Sequence, residues 1–484
     1  MSVSTEPGDR TVTAAPDATP AGKLGVLRIA VVVIAFSAPL AVVSGYLAVV
    51  MALGNGLGAP AAFALAGVIL MAFSVGYTEL VKTTARPGGF YIYITAGLGR
   101  HIGLAATVIA VLSYMLLAAG TYAFLGLAAS RLVADELGGP SIPWWIFVAA
   151  TWLLSAVLSY RELSVSAQLI FVLMFFEFVL ILCFDATVLT RIGTHSLPLE
   201  PLLPANIVSG APGLAMLFSI GMFLGFESTA VYRDEARDPA RTIPRATYLT
   251  VVVLAVLYAG SAYLMIASLG VDRVLGIALQ DPAKTFPLAL DRELGHHFVI
   301  AGYLLVCTSL YGAALSMHNV LSRYVLRLAE RRLIPAGLAR LHPKHKAPSS
   351  ASLAAAGILA IIMIPFPLLG VDPNLLYARQ VGVGTFGFVM LLFLAALAIS
   401  VFLWRRNPTI GSLRFVGPTG LAAVCLLVVF ALANRHFVDL VGTSAATADL
   451  ILGLVYAIAL AGVAWGFWIQ HRQPQIFDRL GDLD

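Results

Sequence analysis

The sequence predicts an all-α polytopic membrane protein of twelve transmembrane helices. A core of ten is arranged as two inverted five-helix repeats with helices 1 and 6 interrupted, and two C-terminal helices follow it. Three observations carry this expectation. Of 484 residues, 60% are hydrophobic and only 11% charged, at a mean hydropathy of +0.91. Twelve apolar runs recur along the chain, each near the ~20 residues that cross a ~30 Å hydrocarbon layer. The first and sixth runs carry helix-breaking sequences, five runs apart. Five is odd, so the second set of five enters the membrane from the opposite side.

Residues 1–24 are polar and rich in Thr, Ala, Pro and Asp. They cannot bury enough surface to fold and are expected to form a disordered cytoplasmic tail. No short apolar block near the N-terminus suggests a signal peptide. The spans are expected near 27–53, 60–82, 102–131, 143–160, 164–187, 212–231, 246–269, 297–326, 351–369, 380–404, 415–433 and 450–470. Residues 25–404 then form the ten-helix transport core, 405–471 add helices 11 and 12, and 472–484 form a cytoplasmic tail.

Span 1 contains Ala35-Phe36-Ser37-Ala38-Pro39-Leu40. Pro39 has no N–H, so the Ala35 carbonyl loses its helical partner, and the proline ring crowds that turn. A break and a simple kink both fit. Span 6 favours the break, because Ser219-Ile220-Gly221-Met222-Phe223-Leu224-Gly225 supplies flexible glycines for a second one. Glu227 follows directly, a carboxylate in an apolar run, and such a charge is costly in a bilayer. The loop after span 2, Arg86-Pro87-Gly88-Gly89-Phe90-Tyr91-Ile92-Tyr93, begins with a tight turn and suits a short interfacial segment. Residues 323–346 present a basic face for orientation and anionic lipid.

Lys and Arg set the orientation. With both termini cytoplasmic, inner segments hold 23 of the 30 basic residues. The other seven are Arg131, Arg191, Arg273, Lys284, Arg292, Arg379 and Arg435. The net charge of +5 thus follows topology and does not indicate nucleic acid, since the basic residues are scattered over loops. Cys183, Cys307 and Cys425 lie in apolar runs far apart, which suits packing and not a disulfide or metal framework.

Four motifs resemble the amino acid–polyamine–organocation (APC) superfamily permeases, of the bacterial amino acid permease type, across nearly all of spans 1 to 11. They are Pro87-Gly88-Gly89-Phe90-Tyr91-Ile92-Tyr93 with Gly97 and Gly99; Gly225-Phe226-Glu227 with Asp234-Glu235, Asp238-Pro239 and Ile243-Pro244-Arg245; Asn319, Arg323-Tyr324 and Leu333-Ile334-Pro335; and Arg405-Arg406 with Val416-Gly417-Pro418. The resemblance implies a leucine-transporter-like inverted-repeat fold and uptake or exchange of amino acids or related amines. One departure stands out: Ser37-Ala38-Pro39 occupies the place of a Gly-Ser-Gly-type break.

Half-helix N-termini suit a solute carboxylate and free carbonyls at half-helix C-termini suit its ammonium group. Carboxylate binding is therefore expected at the backbone of Leu40 and Ala41, beside Ser37 and Ala38. Ammonium binding is expected at carbonyls of Ala35, Phe36, Ser219 and Ile220, with Gly221 at the second break and Met222 and Phe223 walling the pocket. Glu177 is a second acid in an apolar run, eleven residues after Ser166. The resemblance implies that in some proton-coupled relatives a lysine sits at this offset, where sodium-coupled members of the fold hold an ion. The resemblance also places Thr308 and Ser309 opposite Glu177. The group suits proton or Na⁺ coupling; a hydrogen-bonded structural acid is the alternative. Glu227 has the same two readings, coupling or gating against steadying the break. Glu79 is expected to pair with Lys82, and His318 to be a packed histidine or a proton relay.

A polytopic membrane enzyme and a channel are the rival classes. The chain carries no His-Glu-x-x-His pattern, phosphate-binding loop or zinc-spaced Cys pair, and no ring of charges or repeated carbonyl filter. Within the transporter class, a polyamine or other organocation is the alternative solute. The expected partners are a small-molecule solute and the lipid bilayer, with no organic cofactor.

Overall fold

The computed structural model describes residues 24–83, 89–161, 167–193, 197–342, 347–406, 408–478 and 480. Expectations placed on the N-terminal tail before Leu24, on Pro87 and Gly88, on Ser166 and on the last four residues lie outside them.

Among the described residues, ten helical stretches are long and apolar enough to cross a membrane. Two further apolar helices, Val26–Phe36 and Trp144–Tyr160, are shorter. The protein is a multi-pass integral membrane protein. In chain order, α1 (Val26–Phe36) is followed by α2 (residues 39–55), which includes two wide turns, and by α3 (Ala59–Thr83). A kink at Gly54, with φ −109° and ψ −119°, separates α2 from α3. Then come α4 (Phe90–Leu98), α5 (Arg100–Arg131), α6 (Trp144–Tyr160), α7 (Ala167–Ile192) and α8 (Pro212–Gly221). A 3-10 segment, Phe226–Glu235, leads into α9 (Pro239–Leu269), α10 (Val271–Gln280), α11 (Pro282–Leu294) and α12 (His296–Glu330). The chain closes with α13 (Ser349–Met363), α14 (Pro373–Arg406), α15 (Leu413–Arg435), α16 (Ala445–Arg472) and α17 (Pro474–Asp478).

Helices do not gain much from hiding apolar surface when lipid is the solvent, so close contact between small residues holds them together. α5 and α14 show this. Gly384 and Gly387 of α14 lie against Leu117 and Ser113 of α5, and Gly120 of α5 lies against the Tyr377 carbonyl of α14. Polar contacts tie the ends. Arg131 at the end of α5 binds both Asp281 and Asn374, and Arg405 donates to the Gly97 carbonyl at 3.4 Å.

α10 and α11 are not foreseen by a search for long apolar runs, because they are short and two-faced. Within the expected C-terminal tail, the described residues form α17, which docks on α5, with Arg100 pairing to Asp478 at 2.8 Å and Phe477 against His101. Glu79 pairs with Lys82 at 2.8 Å. His318 is fully buried, with Nε2 3.2 Å from Ser352 Oγ.

Candidate functional site

Two interrupted helices meet at the centre of the bundle. α1 ends at Phe36, and Ala38 adopts a left-handed conformation (φ 47°, ψ 61°) before Pro39 opens α2. Such a conformation costs a non-glycine residue ~1–2 kcal/mol. Proline suits the first turn of α2, where its missing N–H has no helical acceptor to serve. α8 ends at Gly221, the chain turns through Met222 and Gly225 (φ 108°), and the 3-10 segment begins at Phe226. At Gly225 a side chain would run into the Phe36 ring. At Gly221 it would meet Thr385 of α14 at 2.5 Å.

The two breaks are joined. Ser37 Oγ donates to the Leu224 carbonyl at 3.0 Å. At the far end of α1, the Leu24 N–H donates to the Glu235 carbonyl and the Arg237 N–H to the Leu24 carbonyl, both at 3.0 Å. This forms an isolated parallel bridge between Leu24 and Ala236.

Each break also holds an acid. Glu177 of α7 is 4% exposed, and its Oε2 accepts from the Leu40 N–H at 3.4 Å and from Ser309 Oγ at 2.9 Å. A carboxylate at a helix N-terminus is favoured by the unpaired N–H groups there. Glu227 folds back on its own break: Oε2 accepts from the Gly225 N–H at 3.0 Å and Oε1 from Tyr114 Oη at 3.4 Å, while Tyr77 Oη donates to the Glu227 carbonyl.

Between the breaks lies a cavity of about 50 Å³, one or two water molecules at ~30 Å³ each. Phe36, Ser37, Ala38, Ala41, Val42 and Tyr46 line it from the first break, and Gly221, Met222 and Leu224 from the second. Leu117 and Thr121 of α5, Leu310, Ala313 and Met317 of α12, and Val381 of α14 complete the wall. No lining side chain is charged. Next to Tyr46 its ring stacks edge-on against Phe124 and Tyr377 at 5.7 and 5.6 Å.

Several expected positions move. The Leu40 N–H, assigned to a solute carboxylate, is occupied by Glu177. The Ala35 carbonyl accepts the Ala38 N–H at 3.2 Å, Ser219 that of Met222 at 3.3 Å and Ile220 that of Phe223 at 3.2 Å. Tight turns at both helix ends absorb these acceptors, leaving each a second lone pair. Phe223 turns away from the cavity and packs edge-on against Tyr258 of α9 at 5.7 Å. Thr308 is exposed and bonds back to Leu305 at 2.9 Å; a helix turns about 100° per residue, so Ser309 and Thr308 cannot both face Glu177. The α5, α12 and α14 walls are missed by sequence reasoning. Their lining residues are neither charged nor glycine, and only Thr121 offers a polar hint.

The split between neighbouring hydroxyls gives a direct comparison. Ser309→Ala is expected to lower solute uptake, since it leaves Glu177 Oε2 one donor short, worth about 1.5–3 kcal/mol for a bond to a charged group. Thr308→Ala is expected to match wild type. Equal uptake by both variants in proteoliposomes would remove Ser309 from the site.

A profile of amino acid permeases matches residues 24–463. The chain belongs to this family. It lies within the APC superfamily, as the motifs suggested. Among similar curated proteins, a chloroplastic cationic amino acid transporter of Arabidopsis thaliana is 24% identical over 441 residues, 84% of this chain and 70% of that protein. A branched-chain amino acid permease of Bacillus subtilis is 21% identical over 371 residues, 71% of this chain and 74% of its own. Among solved structures, a manganese transporter of Eremococcus coleocola superposes with a TM-score of 0.56 at 13% identity, covering 95% of this chain and 97% of that one. That likeness is one of fold alone. In this permease, among the described residues, no cluster of three or more His, Cys, Asp or Glu is placed to hold a metal.

Proposed function

We propose that this permease is a secondary active transporter that carries a net-neutral amino acid across the cytoplasmic membrane by alternating access, driven by protons. The observation that carries the reading is the cavity: it lies where two broken helices meet, and every side chain lining it is uncharged. Glu177 and Glu227 sit outside its lining and hold backbone N–H groups. They are therefore better placed to couple or gate than to pair with a cationic solute. The similar proteins are named for cationic and for branched-chain amino acids, so chemistry must choose between them. Broken helices at a repeat interface are how many transporters present backbone groups to a solute.

In this reading the chain crosses the membrane twelve times, with both termini in the cytoplasm. α1 with α2 forms the first crossing and α6 the fourth, beside the ten longer stretches that include α2 and α3 as one. The first ten form two inverted halves of five, and α15 and α16 follow. Ala41, Phe36, Gly221 and Met222 border the solute. The cavity must widen to hold even a small amino acid, so binding parts α5, α12 and α14 from the breaks.

A thermal-shift screen of the purified protein tests the solute class. Neutral amino acids are expected to stabilise it, by about 2.7 kcal/mol at a hundred times the dissociation constant. Lysine, glutamate and putrescine are expected to leave it unchanged. Stabilisation by lysine or putrescine alone would replace this reading with an organocation carrier.

A further inference from the structure

α7 carries a second acid that the site leaves unused. Asp185 lies eight residues beyond Glu177, ~12 Å along the helix at 1.5 Å per residue. Its Oδ2 accepts from Ser261 Oγ of α9 at 2.9 Å. Its Oδ1 is buried and has no partner. On α9, Tyr258 precedes Ser261 by three residues and so shares its face. Tyr258 and Ser261 are both 0% exposed, and Tyr258 Oη also has no partner. Side chains lean toward the N-terminus of their helix, so Tyr258 leans from Ser261 toward the level of Glu177. Two orphaned polar atoms on one seam, in the interior of a membrane protein, are costly at about 1–3 kcal/mol each.

We propose that Asp185, Ser261 and Tyr258 form the route by which protons reach Glu177 from the outer face. This rests on the proton-driven reading and its topology, in which α7 and α9 both run outward. Protonated Asp185 passes its proton to Ser261 Oγ, Ser261 passes its own on to Tyr258 Oη, and the Tyr258 hydroxyl releases its own to the Glu177 carboxylate. Asp185 ends deprotonated, Glu177 protonated, and each hydroxyl as it began.

The other helices packed on α7 are α1, α2, α11 and α12. α1 offers Arg28, which is exposed, and α2 near its start offers no ionisable group. α11 offers Glu293, engaged by Ser268, Arg191 and Arg292. Lys284 pairs toward Asp135 at 3.8 Å, while Asp291 of α11 forms no ion pair among the described residues. α12 offers Cys307, Tyr303 and Tyr311, with His296 set against Glu136 at 3.5 Å and His297 at its start. Among the described residues none of these bonds to Asp185, so its only polar partner is Ser261.

The test uses proteoliposomes, an inward proton gradient and a labelled mixture of neutral amino acids. Proton-driven uptake by Asp185→Asn and Tyr258→Phe is expected to fall on the order of a hundredfold, the lower end of what a lost proton-transfer group costs. Exchange of labelled for unlabelled solute should stay at the wild-type rate, and Asp185→Glu should restore uptake. Tyr258→Phe removes a single oxygen and carries the test if Asp185→Asn does not fold. Wild-type uptake in both variants overturns the route while leaving proton coupling intact. Loss of exchange together with uptake makes the seam structural and overturns it too. A wild-type protein indifferent to the gradient overturns the coupling reading and the route with it.

Discussion

Gly225→Val is expected to abolish uptake while leaving the protein folded. The residue sits at φ 108°, where an L-side chain is strained by ~1–2 kcal/mol and a β-branched one more. The added Cβ would also overlap the Phe36 ring, which belongs to the other break and lines the cavity. The strain therefore falls on the contact that holds the two breaks together and spares the lipid-facing bundle. Initial uptake is expected below about a tenth of wild type, a threshold of ~1.4 kcal/mol. Gly221→Val should act in the same direction through Thr385. Gly453→Ala is the control, because a Cβ there meets nothing within 4 Å. A monodisperse Gly225→Val protein that transports at the wild-type rate would remove the second break from the mechanism.

Glu177→Gln is expected to abolish accumulation driven by a proton gradient and to spare exchange. Both hydrogen bonds at Glu177 arrive on a single oxygen, Oε2. Glutamine keeps an oxygen there, so the Leu40 N–H and Ser309 hydroxyl retain their acceptor. What is lost is the ability to bind and release a proton in each cycle. Glu227→Gln differs, since both of its oxygens are engaged, by Gly225 and Tyr114. An amide nitrogen cannot accept from the Gly225 N–H, so this variant should weaken exchange as well as accumulation if the nitrogen takes that place. If both variants accumulate solute as well as wild type does, the two acids are structural. If wild-type uptake follows sodium and Glu177→Gln weakens that dependence, Glu177 holds a cation and not a proton.

The breaks were legible because their chemistry is local. A proline without an N–H and a glycine at positive φ act on their own turns, whatever surrounds them. Glu177 was legible for the same reason: an acid in an apolar run must find a donor. Which donor it finds depends on how helices rotate against one another, and that is absent from a linear sequence. Hence Ser309 meets Glu177 and Thr308 does not, and Phe223 leaves the pocket to which Met222 contributes. The cavity walls from α5, α12 and α14 were invisible because Leu117, Ala313 and Val381 look like every other packing residue. Asp185 was written plainly in the fifth span, but near its end, where an acid is readily taken for the start of a loop.

The chain fastens α1 to the 3-10 segment at two places, the Leu24–Ala236 bridge and the bond from Ser37 to Leu224. A pair of rods pinned at both ends is a single lever. It cannot open like two independent flaps, because moving one rod drags the other. Ala38 and Gly225, both in the left-handed region, lie at the break end of each rod. A pull on the chain at Ala236 is therefore expected to move the two cavity walls together and not one after the other.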